Sequence, residues 1–160
     1  MFLKFVYNYI VMRGLLQVVK NASVEIDSKE YSSINHGYLL FVGFNNQDNE
    51  DIIKKVMDKV LSLRIFQDEN GKMNLSINDV GGEILLVSQF TLYADYKKGR
   101  RPSFNTACNG ETGLPLYNKT CDYVKSLGYS VKTGVFGADM KIHLINDGPT
   151  TIMVDSEELK

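Results

Sequence analysis

Tyr38-Leu39-Leu40-Phe41-Val42-Gly43-Phe44 is apolar without interruption, the pattern of a central strand covered on both faces. Upstream, residues 15–19 and 23–27 read as two strands around a Lys20-Asn21-Ala22 connection. In Val24-Glu25-Ile26-Asp27 apolar and acidic residues alternate, as a half-buried strand requires. Downstream, residues 48–63 form the clearest helix. Ile52, Val56, Val60 and Leu63 share one face, Asp48 is placed to cap it, and Glu50 and Asp51 suit its first turn. Asn70-Gly71 marks a tight turn between Arg64-Ile65-Phe66 and Met73-Asn74-Leu75. A second helix is predicted over residues 114–127, with Pro115 in its first turn, Leu116, Thr120, Val124 and Leu127 on one face, and Gly128 ending it. Strands return at residues 130–136, 140–145 and 151–154. Many short strands with two main helices, and no βαβ alternation, give an α+β fold: a mostly antiparallel sheet that curls into a barrel-like shape.

A chain of 160 residues holds one core more comfortably than two, and no repeat or Pro/Gly/Ser linker divides it. A net charge of −1 excludes a surface that coats nucleic acid, but not a protein that grips one end of it. Cys108 and Cys121 belong to no CxxC or Cys/His cluster, which fits a reduced, cytoplasmic setting. No apolar run approaches the roughly 18–20 residues of a membrane span. Residues 1–11 (MFLKFVYNYIV) are apolar but lack a signal-peptide cleavage site. Met12-Arg13-Gly14 reads as a second beginning, so residues 1–11 are expected to be an extension outside a single domain of residues 12–160.

The chemistry is bounded first by what is missing. His36 precedes a glycine in a turn, and His143 sits in an alternating strand, so neither reads as a catalytic base. Metalloprotease, nucleophile-elbow, phosphate-loop and dinucleotide motifs are absent, and nothing calls for a cofactor or a metal. What remains is Ser88-Gln89-Phe90-Thr91-Leu92, where polar groups appear as the apolar run Ile84-Leu85-Leu86-Val87 ends, and Asn146-Asp147-Gly148-Pro149-Thr150-Thr151, a Gly-Pro pair between two stretches of strand character. Taken alone, the hydroxyls could simply satisfy backbone groups at a strand end, and the Gly-Pro pair could be an ordinary turn. Lys97-Lys98-Gly99-Arg100-Arg101-Pro102 is the one dense basic run. It follows the hydroxyl cluster closely enough to reach the phosphates of a bound RNA end, with Phe104 nearby for stacking.

At these residues the chain resembles the D-aminoacyl-tRNA deacylase family, from Met12 to about Ser156. Ser88-Gln89-Phe90-Thr91-Leu92 is similar to the family's SQxxL motif, and Asn146-x-Gly148-Pro149-x-Thr151 to its NxGPxT motif. Leu63-Arg64-Ile65-Phe66, Gly71-Lys72-Met73-Asn74, Lys98-Gly99-Arg100-Arg101-Pro102-Ser103-Phe104 and Gly134-Val135-Phe136-Gly137-Ala138-Asp139-Met140 fit the same pattern. The resemblance implies a homodimer of barrel-like subunits with the active site at the interface. It also implies hydrolysis of the ester between a D-amino acid and the 3′-terminal adenosine of tRNA. By the same resemblance the Gly148-Pro149 bond is cis and enters the partner's pocket as a chirality filter, with Asn146 and Thr151 holding the loop. Ser88, Gln89, Phe90 and Thr91 then line the ester pocket and carry catalysis. Phe136 and Met140 are candidates for the adenosine pocket, and Lys98, Arg100 and Arg101 for RNA contact. One position departs from the pattern: Gln17-Val18-Val19 stands where members commonly carry Gln-Arg-Val, so the guanidinium assigned to bracing the loop is missing.

Two routes to attack stay open at this point. Thr91 could be the nucleophile, although no histidine or carboxylate is an evident base for it. Alternatively the ribose 2′-hydroxyl of the substrate directs a water while main-chain N–H groups around residues 89–91 stabilise the oxyanion; the lack of a base favours this route. Selectivity by exclusion would admit many D-amino acids and glycine. The competing readings are a non-catalytic module that binds nucleic-acid ends, and a related deacylase with relaxed chirality.

Overall fold

The computed structural model describes residues 12–159; the expected extension, residues 1–11, lies outside the described residues. The chain runs β1 (Arg13–Ile26), β2 (Lys29–Ile34), β3 (Gly37–Gly43), α1 (Glu50–Ser62), β4 (Phe66–Gln67), β5 (Met73–Leu75), β6 (Glu83–Ser88), α2 (Gly110–Ser126), β7 (Val131–Thr133) and β8 (Lys141–Asp155). The apolar run at residues 38–44 is the central strand β3. It is antiparallel to β1 on one side and parallel to β6 on the other, with β7 parallel beyond β6. β2 pairs with the far half of β1, and Ser32 Oγ donates to Thr133 O at 2.7 Å, bringing β2 onto β7 and nearly closing the sheet. Alternate side chains of the same strands therefore enter two cores. Leu16, Tyr38, Leu40, Ile84 and Leu86 pack under the helices. Val19, Val24, Leu39, Leu85 and Val87 fill the inside of the curl. Among the described residues no helix is long and apolar enough to cross a membrane.

Several elements differ from their sequence reading. The two strands expected around Lys20-Asn21-Ala22 are one strand, β1, because β8 pairs along its whole length. The strands expected at 140–145 and 151–154 are likewise one, β8. Gln17 faces Thr151 and Val19 faces Asn146, so the single residue Val18 opposes the whole excursion of residues 147–150. The strand expected over residues 130–136 shortens to β7. The second helix starts earlier than expected, at Gly110, where Asn109 accepts from Thr112 N at 2.9 Å; Pro115 therefore lies inside the helix and withholds the donor owed to the Glu111 carbonyl. Leu127, placed by periodicity on the buried face, is exposed at the helix end.

The cap of α1 is Asn49, whose side chain accepts from Ile52 N at 3.0 Å, not Asp48. Asp48 turns inward instead. Its Oδ2 accepts from Asn45 N at 2.7 Å, while its Oδ1 is buried without a partner among the described residues. Burial pushes its carboxyl up to about 6, opposed by the Asn45 hydrogen bond and helped by nearby Asp155. Because the folded chain holds this proton more tightly than the unfolded one, the stabilisation is complete below about pH 4 and is lost as the pH rises through 6. A rise of that size is worth about 3 kcal/mol. Asp48→Asn keeps an acceptor for Asn45 and cannot ionise. Urea unfolding should find it more stable than the parent at pH 8 and nearly equal at pH 3; equal stability at both values would contradict the assignment.

Candidate active site

The end of β6 is fixed from three sides. Ser88 pairs with Val42 in the parallel ladder, and Gln89 N donates to Val42 O at 2.8 Å. The chain then turns through a short 3-10 helix, Phe90–Tyr93, whose first N–H groups have no acceptor within the turn. Tyr93 is buried, and its hydroxyl donates to Gly43 O at 3.3 Å. Arg13, opening β1, donates from Nη1 to Leu92 O at 2.8 Å and from Nε to Asp155 at 3.3 Å, with its guanidinium 4.9 Å from the Tyr93 ring centroid. Gly43 makes the close packing possible: a β-carbon there would stand 2.9 Å from Gln89 O and 2.9 Å from the Tyr93 ring.

Within this frame Ser88, Gln89 and Phe90 line a cleft of about 300 Å³, which Phe136 and Met140 enter from the loop before β8. Phe136 packs over the bare first turns of α2, where a β-carbon at Gly113 would meet both its ring and the Cys108 sulfur at 3.0 Å. Met140 sits over Gly134, whose absent β-carbon would be 2.7 Å from its sulfur. Thr91 is exposed one step round the turn, outside the cleft lining, and its Oγ accepts a hydrogen bond from the Gln89 carboxamide. No hydrogen bond joins Thr91 to a histidine or carboxylate among the described residues. His143 lies against Glu25 at 2.8 Å, and His36 packs edge-on against Phe66. Cys108 also lines the cleft, but burial and the nearby Asp48 raise its thiol pKa, the reverse of nucleophile activation.

Asn146, Gly148, Pro149 and Thr151 gather elsewhere. The Gly148-Pro149 peptide is cis, as expected from the resemblance. Asn146 Nδ2 donates to Val18 O at 2.9 Å and to Thr150 O at 3.0 Å, closing the excursion across its neck. Thr151 Oγ1 donates to Asn146 Oδ1 at 3.3 Å and receives Gln17 Nε2 at 3.3 Å. Beneath the loop lies a separate cavity of about 420 Å³, bordered by Val18, His36, Phe66, Met73, Gly148 and Thr150. Val18, facing the loop, is level with Tyr38 and Ile84, four residues below Ser88, and the loop's own strand β8 lies three strand spacings from β6. At about 4.8 Å per strand and about 3.3 Å per residue, the two motifs stand roughly 20 Å apart along the sheet. One chain does not bring them together.

Lys98, Arg100 and Arg101 are exposed in a loop whose base is held by reciprocal Asp95–Ser103 backbone bonds of 2.8 and 2.9 Å. Phe104 is half-buried and meets the Phe90 ring edge-on at 5.0 Å. Sequence reasoning passed over Gly43, Gly113 and Arg13. A glycine inside an apolar strand signals close backbone approach, and Gly43 carried that signal; Arg13 carried none.

A family model described as D-Tyr-tRNA(Tyr) deacylase matches residues 15–155. A D-aminoacyl-tRNA deacylase of Dictyoglomus turgidum (strain DSM 6724 / Z-1310) is 50% identical over 149 residues, 93% of this chain and 96% of that protein. One of Thermosipho africanus (strain TCF52B) is 46% identical over 148 residues, 92% of this chain and 99% of that one. Among solved structures, the c-Myc DNA Unwinding Element Binding Protein aligns with a TM-score of 0.84 at 36% identity, over 89% of this chain and 97% of its own. A probable eukaryotic D-amino acid tRNA deacylase aligns with a TM-score of 0.81 at 19% identity, over 91% and 100%, and shares the fold.

Proposed function

This chain belongs to the D-Tyr-tRNA(Tyr) deacylase family, an ester hydrolase acting on D-aminoacyl-tRNA, and we propose that it works as a two-fold dimer in which each subunit's Gly148-Pro149 loop completes the other's cleft. The observation that carries this reading is the separation of the two motifs, roughly 20 Å along one sheet and in different clefts. A two-fold partner supplies the loop that the chain's own fold keeps away. β8 is suited to such an interface. It pairs only with β1 among the described residues and leaves Ile145 and Met153 exposed, and an unpaired edge is a ready docking surface.

In the assembled site the terminal adenosine lies against Phe136 and Met140, and the ester against Ser88, Gln89 and Phe90. The first N–H groups of the 3-10 turn face the carbonyl oxygen as it gains charge. A missing oxyanion donor typically costs about 10²–10³ in rate. Thr91 has no base beside it among the described residues, so the ribose 2′-hydroxyl directs the attacking water. Its proton leaves with the 3′-oxygen, and free D-amino acid and tRNA result. The loop of the partner rejects an L side chain by collision. Thousandfold rejection needs about 4 kcal/mol, within reach of a clash against main chain held by Asn146. Lys98, Arg100 and Arg101 meet tRNA phosphates, and the site works in the cytoplasm.

Incubation with D-tyrosyl-, L-tyrosyl- and glycyl-tRNA tests this directly. Amino acid should be released from the D and glycyl substrates and at least about a thousandfold more slowly from the L substrate, the factor set by the same energy. Comparable D and L rates would make the chain a deacylase of relaxed chirality, the reading prompted by Val18. The likeness to a DNA unwinding element binding protein favours one further reading, a non-catalytic binder of nucleic-acid ends. Binding of D-tyrosyl-tRNA with no release above the spontaneous rate would establish it.

A further inference from the structure

A second cleft lies on the other side of the 3-10 turn, about 520 Å³ in volume and bordered by Arg13, Asn45, Tyr93, Tyr96, Lys97 and Glu157. We propose that it is a subsite for the single strand of RNA leading to the 3′-terminal nucleotide, with Tyr96 stacking one base and Arg13 and Lys97 holding its phosphate. This rests on the deacylase reading and extends it outward from the cleft where the ester reacts.

Three features support the assignment. Tyr96 is 77% exposed, a large aromatic face left in water beside a cleft, and aromatic faces beside cations are how sequence-tolerant single-strand sites are built. Next, charge is concentrated here although the chain as a whole carries −1. Lys97, Lys98, Arg100 and Arg101 fall within one short loop, and none of them forms an ion pair among the described residues. Arg13 uses Nε and Nη1 on Asp155 and Leu92 O, which leaves Nη2 without a protein acceptor among the described residues. Within the cleft itself the charges balance, Arg13 and Lys97 against Asp95 and Glu157, so the positive excess is that of Lys98, Arg100 and Arg101 on the adjoining exposed loop.

Continuity is the third feature. Gln89 and Phe90 line the ester cleft, and Tyr93 to Lys97 line this one, so one short segment forms a wall of both. A strand whose 3′ end enters the first cleft passes the second on its way out. Base pairing cannot extend to a nucleotide so held, which fits a substrate whose acceptor end is single-stranded.

Tyr96→Ala and Lys97→Gln test the assignment with two substrates, D-tyrosyl-tRNA and the D-tyrosyl ester of adenosine alone. For Tyr96→Ala, KM on the tRNA should rise about tenfold, the lower part of what loss of one base–aromatic stack costs, with kcat unchanged. Neither variant should alter KM on the adenosine ester. For Lys97→Gln, the salt dependence of KM on tRNA should flatten by about 0.7 in log–log slope, one phosphate contact to a single strand. Glu157→Gln should move KM on tRNA downward. Equal shifts on both substrates, or none on either, would overturn the subsite. If the parent protein hydrolysed neither substrate, the deacylase reading would fail on its own account. The subsite would still be read by fluorescence anisotropy of a labelled single-stranded RNA ending in CCA, whose binding Tyr96→Ala should weaken about tenfold; unchanged binding there rejects it.

Discussion

Gly43→Ala is expected to lower turnover of D-tyrosyl-tRNA about a hundredfold, a loss of the size that a 1 Å misplacement of reacting groups produces. The position ends the central strand, and a β-carbon there would stand 2.9 Å from Gln89 O and 2.9 Å from the Tyr93 ring. Neither neighbour has room to yield. Gln89 is tied to β3 by its own N–H, and Tyr93 is buried with its hydroxyl on the Gly43 carbonyl. Relief therefore comes from moving the 3-10 turn, which carries the N–H groups proposed to meet the oxyanion. Gly14→Ala is the matched control: on the adjoining strand its β-carbon would make only ordinary contacts, at 3.5 Å from Leu40 and beyond. Gly14→Ala should stay within a factor of about two of the parent. A Gly43→Ala protein that melts well above the assay temperature and turns over normally would show that this contact does not position the turn.

The central strand and α1 were legible in the sequence because each is decided locally, by an unbroken apolar run in one case and by a 3.6-residue stripe in the other. The early start of α2 was not. Gly110 and Gly113 argue against a helix by propensity, yet Asn109 caps it and Phe136 occupies the space their missing side chains leave. Tertiary packing overrides the local preference. β8 shows the same limit in another form. Asn146-Asp147-Gly148-Pro149 reads as a turn that ends a strand, and only pairing with β1 on both sides of the excursion reveals one strand carrying a loop.

The candidate site divides along the same line. Ser88, Gln89 and Phe90 are contiguous, so their shared cleft follows from the strand that delivers them. Gly43 and Arg13, which hold the turn in place, come from other strands and appear only once β1, β3 and β6 are aligned. At Val18 it is the main-chain carbonyl, which every residue carries, that accepts from Asn146 and ties the loop to β1, a contact pattern reading could not supply.

Asn146 therefore carries the second large effect. Asn146→Ala removes both bonds across the neck of the loop and the acceptor of Thr151 Oγ1. Beneath the loop, the cavity of about 420 Å³ offers no packing to replace them. A wall that can retreat into that space no longer excludes an L side chain. The L-tyrosyl-tRNA rate should climb to within about tenfold of the D rate, from a thousandfold below it, a loss of about 3 kcal/mol of discrimination. The rate on D-tyrosyl-tRNA should change little, because the loop's proposed part is to exclude and not to react. Co-expression with an excess of Gly43→Ala subunits then separates a loop acting in its own chain from one acting in its partner. In a mixed dimer the competent turn belongs to the Asn146→Ala subunit, and the intact loop facing it belongs to the Gly43→Ala subunit. An otherwise inactive partner should thus restore chirality: L release per Asn146→Ala subunit falls at least tenfold towards the parent value, while D release persists. If L release were untouched by mixing, the loop would be acting within its own chain and the shared site would be wrong.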